Sequence, residues 1–191
     1  EKVCPHFEIP CQSGSDAMLA KMRRGYSRDQ FRELIGRVRA LVPDAAIATD
    51  IIVGFPGETE AQFLDTYRLA EELGFDMIHI AKYSPRPQTY AARHYADDIP
   101  AGEKERRRRI LESLLKETLA EKNRRLLGRR VEVLVEDRDE RHGRWRGRTP
   151  QNKLVFIEDD RELLGKIVHV RIGWAGPFSM LAETASEPTK A

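Results

Sequence analysis

Thr49-Asp50-Ile51-Ile52-Val53-Gly54-Phe55-Pro56-Gly57-Glu58-Thr59 decides the fold. It closes a near-continuous apolar run that begins at Ala45. An unbroken run of this kind suits a strand buried on both faces, as in a parallel sheet. Gly54 to Gly57 then turns the chain. Thr59 is placed to cap a helix with Phe63, Thr66, Tyr67, Ala70 and Leu73 at helical spacing. Gly74 supplies the residue after its C-terminus. Strand, turn and helix in this order make half of a βαβ unit.

Working outward, the same alternation repeats. Residues 6–10 read as a short strand, and residues 13–16 offer N-cap candidates for a helix through Met18, Leu19 and Met22 that Gly25 would end. Ser27 and Gln30 have capping-box spacing ahead of Phe31, Leu34, Ile35, Val38 and Leu41. Residues 75–83 form the next strand. Strands separated by helices imply right-handed crossovers and a parallel sheet. Three such strands cannot close a (β/α)₈ barrel. Further strands before Glu1 or a small open sheet are the two readings, and the abrupt start at Glu1 favours the first.

The second half changes character. Residues 84–100 read as a Pro-rich polar loop, and residues 101–127 as one long charged helix ended by Gly128. From Arg129 the pattern alternates at 131–135, 153–157 and 166–172, with Gly-rich turns, which suggests a small antiparallel barrel. The expected fold class is therefore α/β, with the C-terminal part of a (β/α) barrel followed by a small antiparallel β-barrel. Domains are expected at 1–124 and 125–184, with a disordered tail at 185–191.

Composition fits this division. The 191 residues are 40% hydrophobic and 34% charged, with a net charge of +2. No run approaches the roughly 18 apolar residues of a membrane span. The charge is uneven: residues 1–98 carry net −3 and residues 99–191 net +5. A basic half points to a polyanion partner at one end. Cys4 and Cys11 are too few for a zinc or iron–sulfur site, and a reducing, cytoplasmic setting is expected. The five histidines are scattered without ligand spacing, so no metal site is expected in this chain.

Two constellations could carry chemistry. Residues 10–16, 50–59 and 83–87 each follow a strand, and in parallel α/β folds such turns share one rim where ligands bind. Gln12 and Ser13 can hydrogen-bond ribose hydroxyls or a carboxylate. Gly54 allows close backbone approach. Arg86, between two prolines, can take a carboxylate or phosphate. Plain turn and cap chemistry explains these residues equally well one at a time; their convergence is what singles them out. The second constellation runs from Arg138 to Lys153, with six basic residues against two acids. In a strand, Arg144, Arg146 and Arg148 would share one face. Beside Trp145 they would form a phosphate-and-stacking surface for RNA, the other reading being a solvated hairpin.

These motifs resemble those of a known family. Residues 9–16 are similar to a "PVQSGSD" box, residues 49–59 to "TDIIVGFPGET", residues 83–87 to the start of "YSPRPGT", and residues 147–149 to the "GRT" turn of a TRAM domain. The family is the radical S-adenosylmethionine methylthiotransferases, in particular the MiaB-type tRNA branch. The resemblance implies a partial radical-SAM barrel, an OB-like TRAM barrel, S-adenosylmethionine and [4Fe-4S] clusters whose ligands are not in this chain. It implies methylthio transfer to C2 of N6-isopentenyladenosine beside the anticodon, with a tRNA anticodon stem-loop as partner; the protein itself is expected to be monomeric. Gln12, Ser13, Asp50, Ile52, Gly54, Glu58 and Arg86 would then face the cofactor. Arg144, Trp145, Arg146, Arg148, Asn152 and Lys153 would face RNA. Cys11, Gln88 and Tyr90 depart from the family's usual aliphatic, Gly and Pro residues. Methylthio transfer to threonylcarbamoyl-adenosine or to a ribosomal protein, and a non-catalytic RNA-binding module, are the alternatives. By itself the chain is expected to show no turnover.

Overall fold

The computed structural model describes residues 3–184. The expected tail at 185–191 lies outside them. The chain forms two compact units, one of Phe7–Leu115 and one built mainly from Lys116 onward.

The first unit holds a three-stranded sheet in the order β1 (His6–Glu8), β2 (Ala46–Val53), β3 (Met77–Lys82). β2 and β3 run parallel, with Asp50 opposite His79 and Ile52 opposite Ala81. Between the strands lie α1 (Asp16–Lys21), α2 (Arg28–Leu41) and α3 (Glu60–Leu73). Right-handed crossovers in a β1-β2-β3 order place these helices on one face of the sheet. Residues on that side are buried: Phe31, Ile35, Ile51, Val53, Phe63, Leu73, Phe75 and Ile78. The opposite face carries Asp50, Ile52, His79 and Ala81.

Local chemistry sets the helix ends. Ser27 with Gln30 and Thr59 with Gln62 both form complete capping boxes. Gly74 ends α3 in the left-handed conformation, with φ 52°. α1 departs from expectation: its C-cap is Met22, and Arg23, not Gly25, takes the left-handed turn at φ 59°. The stretch 84–100 is not all loop either. Thr89 accepts from Ala92 N and caps a short helix, α4 (Tyr90–His94).

Helix α5 (Ala101–Arg124) follows, and the division between units falls within it. Its buried stripe reads Lys104, Arg107, Leu111, Leu114, Leu115 and Leu119, so two cations occupy the first turns of an otherwise apolar row.

The second unit is a closed five-stranded barrel: β4 (Arg130–Asp139), β5 (Arg144–Arg148), β6 (Leu154–Glu158), β7 (Ile167–Ala175) and β8 (Met180–Thr184). Closure adds one parallel pairing to the expected antiparallel barrel. Four pairings are antiparallel, but β6 and β8 pair in parallel and seal the barrel. Inward side chains alternate along each strand. Val133, Val135, Trp145, Val155, Ile157, Val170, Ile172, Met180 and Ala182 fill the interior with Leu163. Gly147 is there because a Cβ would strike the Leu134 carbonyl and the Val133 side chain.

Candidate functional site

A cleft of about 810 Å³ lies against the helix-free face of the parallel sheet. Its lining includes Gln12, Arg24, Asp50, Ile52, Phe55, His79, Ala81, Tyr83, Arg86 and Thr89. Gln12 is stitched to β2 by its own backbone, donating to Asp50 O at 2.8 Å and accepting from Ile52 N at 3.0 Å. It does so at φ 66°, a conformation disfavoured for a side chain that carries Cβ. Four expected cofactor-facing residues therefore meet at one cleft: Gln12, Asp50, Ile52 and Arg86.

Three others do not line it. Ser13 is fully buried. Its Oγ lies 3.2 Å from Thr66 Oγ1 and accepts from Ser15 N. The same threonine accepts from Gly14 N at 2.9 Å. A Cβ at Gly14 would come within 2.6 Å of the Asp65 carbonyl. The small residues of this box thus dock α3. Gly54, at φ 69°, leaves room for the stem of Lys104, not for a ligand. Glu58 is 2% exposed. Its Oε2 accepts from Gly54 N at 2.7 Å and from Arg107 Nη1 at 2.7 Å. Burial pushes the Glu58 carboxyl above its ordinary range, against the pull of Gly54 N and Arg107.

Sequence reasoning missed the two cations at the centre of this arrangement. Lys104 is 6% exposed and Arg107 4%. Lys104 Nζ donates to Tyr83 O at 3.0 Å and to Asp97 at 2.5 Å. Arg107 also donates to Glu58 O at 3.0 Å and to Glu103 at 2.7 Å. The first turns of α5 thereby hold the loop after β2 and the loop after β3 in fixed positions. The signal was present: Lys104 and Arg107 continue the helical spacing of Leu111 and Leu114. Phe55 packs edge-on against Tyr83, with ring centroids 5.0 Å apart.

Cys11 is buried, donates to Ser13 O at 3.4 Å, and its thiol is pushed up to about 12 by burial. It stays protonated and is no thiolate ligand. Among the described residues no group of three His, Cys, Asp or Glu side chains could hold a metal ion. Gln88 has φ 70°. That left-handed conformation explains why the resembling motif carries glycine at this position.

On the barrel, Arg144, Arg146 and Arg148 do share the outer face of β5. Each meets an acid: Glu158 at 2.8 Å, Asp137, and Glu136 at 3.5 Å respectively. Arg148 also donates to Asn152 Oδ1 at 3.1 Å, and Asn152 turns the chain at φ 62°. Lys153 Nζ donates to Asn123 Oδ1 at 3.0 Å. Trp145 corrects the stacking expectation. It is 3% exposed and points inward, donating Nε1–H to Arg161 O at 2.9 Å and Asp159 O at 3.1 Å. The period of two that aligns its arginine neighbours outward sends the indole into the core.

The class of fold follows from both family models that match. The radical SAM superfamily matches residues 1–70 and the TRAM domain matches residues 124–184. The chain thus pairs a segment similar to the radical SAM superfamily with a segment similar to the TRAM domain. The solved radical SAM enzyme coproporphyrinogen III oxidase (HemN) of Escherichia coli supports the fold, with a TM-score of 0.50 at 17% identity over 88% of this chain and 41% of that one. More particular relatives bear out the resemblance as homology. The tRNA-2-methylthio-N(6)-dimethylallyladenosine synthase of Dehalococcoides mccartyi is 49% identical over 182 residues, 95% of this chain and 43% of that protein. The synthase of the same name from Chloroflexus aurantiacus is 48% identical over 92% of this chain and 38% of its own length. The chain spans about two fifths of the curated relatives it matches. No described helix is long and apolar enough to cross a membrane.

Proposed function

We propose that this chain is the part of a tRNA methylthiotransferase that presents S-adenosylmethionine at the strand-end cleft and holds tRNA on the barrel. The reaction would place a methylthio group on C2 of N6-isopentenyladenosine beside the anticodon, in the cytoplasm, with a monomeric protein on the anticodon stem-loop. The observation that carries this reading is identity of nearly one half to synthases of that name along 95% of the chain.

The cleft residues fit the cofactor chemically. Asp50 offers a carboxylate to ribose hydroxyls or to an ammonium group. Ile52, Phe55 and Ala81 offer an apolar wall to a purine. Arg86 and Arg24 can take a carboxylate. When bound, S-adenosylmethionine would supply the adenosyl radical precursor of this enzyme class. The protein's part is to orient it and to limit water. Gln12, held in a fixed backbone conformation by β2, positions one side of the cleft. Lys104, Glu58 and Arg107 act at a distance, by fixing the two loops that bear Phe55 and Tyr83. The described residues do not supply the thiolates that an iron–sulfur cluster needs.

Equilibrium dialysis with labelled S-adenosylmethionine tests the cofactor half of this reading. Saturable binding is expected, weakened about tenfold or more by Asp50→Ala or Arg86→Ala, the usual scale for a lost charged hydrogen bond. Absence of saturable binding at millimolar cofactor would refute the cleft assignment. Filter binding of a tRNA transcript tests the other half, with affinity expected to fall steeply as salt rises.

A further inference from the structure

The outer face of the barrel carries two kinds of arginine. Those of β5 each have a carboxylate partner. Arg130 and Arg171 stand directly opposite each other on β4 and β7, and both are exposed. Among the described residues neither has a carboxylate within ion-pair distance; Arg171 donates only to Gly128 O at 3.1 Å. Arg129 adjoins them. The nearest acids by register are Glu183, across from Arg171 on β8, and Glu132, one outward position along β4. Like charges directly opposite in a sheet are unfavourable unless an anion lies between them.

Farther along β7 the strand bulges between Ile172 and Trp174. Without the bulge, Trp174 would follow Val170 and Ile172 into the core. With it, the indole turns to the outside and is 51% exposed. The outer edge of the ring abuts Gly176, where a Cβ would come within 2.4 Å of Trp174 Cη2. Phe178, in the next turn, is 55% exposed. The turn itself is anchored, because Asn123 Nδ2 donates to Gly176 O at 2.8 Å and Pro177 O at 3.0 Å. An exposed aromatic held rigid is a stacking platform prepared in advance.

We infer that Arg130, Arg171, Trp174 and Phe178 form the single-stranded RNA contact of the barrel, with a phosphate between the two guanidiniums and a base on the indole. Arg171 and Trp174 lie about 10 Å apart along the strand. That is a span a phosphate and a nearby base of one strand can bridge. The chemistry is the usual one for unpaired RNA, cationic backbone contact beside a π-face. This inference rests on the proposal that the barrel binds RNA, and it moves the contact from β5 to β7.

The test uses the whole chain and a fluorescein-labelled tRNA transcript at graded salt. Arg130→Ala with Arg171→Ala is expected to weaken binding tenfold or more and to flatten the slope of log affinity against log salt by between one and two. Trp174→Ala is expected to cost about tenfold, with Trp174→Phe recovering most of it because the ring and its packing remain. In a Trp145→Phe background Trp174 is the sole tryptophan, and its fluorescence is expected to quench on RNA addition. Alanine at Arg144, Arg146 and Arg148 together is expected to cost less than the Arg130/Arg171 pair. If the β7 variants bind as wild type while the β5 triple variant loses affinity, this inference is overturned and RNA binding stands. If wild type binds no RNA at any salt, both are overturned.

Discussion

The two units use arginine in opposite ways. In the Phe7–Leu115 unit, Arg107 is buried against Glu58, and its neighbour Lys104 is buried against Asp97 and Tyr83 O. In the barrel the arginines of β5 point outward and Arg138 lies over the Trp145 ring at 4.9 Å, while the core is packed with apolar side chains and the indole N–H of Trp145 is satisfied. The difference follows from topology. A closed barrel of alternating strands has a filled interior and no loose edge. A three-stranded parallel sheet with one helix-free face must instead fix its strand-end loops by other means. Buried charge is a costly way to do so, but it is directional, and direction is what a binding rim needs.

The contrast can be broken at its strongest point first. Arg107→Ala strands a buried carboxylate, and a loss of about 3–5 kcal/mol is expected for the Phe7–Leu115 unit. Denaturant melts followed by amide exchange would locate that loss, and an equal fall in barrel protection would contradict the separation. Gly147→Ala comes next. Its Cβ meets backbone, so about 1–3 kcal/mol should be lost from the barrel alone. Smaller still, alanine at Arg144, Arg146 or Arg148 should change the unfolding midpoint by no more than about 1 kcal/mol each, as exposed pairs do. A large loss at any of the three would erase the distinction drawn here.

Acid titration sharpens the comparison within the first unit. Arg106, and then Arg107, hold the Glu103 carboxyl down to about 2. The folded state then binds fewer protons than the unfolded chain below the ordinary carboxylate range. Its contribution is complete above that range and fades as pH falls toward about 2. Glu58, raised by burial, acts with the opposite sign just above the ordinary range. Glu103→Gln should flatten the acid limb of a stability-versus-pH curve, most visibly at low salt, and an unchanged limb would show that the surface pairing contributes nothing.

Much of this was legible in the chain itself. β2, the Ser27/Gln30 capping box and the Thr59 cap follow from apolar runs and from local spacing. The convergence of Gln12, Asp50, Ile52 and Arg86 follows from the rule that strand-end turns share a rim. What was not legible depends on tertiary partners. Ser13, Gly54 and Glu58 look like ligand residues because polar and small side chains serve packing and binding alike. Only Thr66, Lys104 and Arg107, distant in sequence, decide between the two. Trp145 departs from its expected stacking role, and Trp174 takes the exposed position, for a simpler reason. Strict alternation buries the first, and one extra residue in β7 exposes the second. The parallel β6–β8 seam leaves no local mark on the sequence, since strand direction is set by chain path.

The central claim is that two separate surfaces take two different ligands. Amide chemical-shift mapping of the whole chain, titrated first with S-adenosylmethionine and then with an anticodon stem-loop RNA, tests it most directly. The cofactor is expected to shift Gln12, Asp50, His79 and Arg86 and to leave residues 130–184 unmoved. The RNA is expected to shift Arg130, Arg171, Trp174 and Phe178. Cofactor-induced shifts confined to the barrel, or RNA-induced shifts confined to the cleft, would contradict the account.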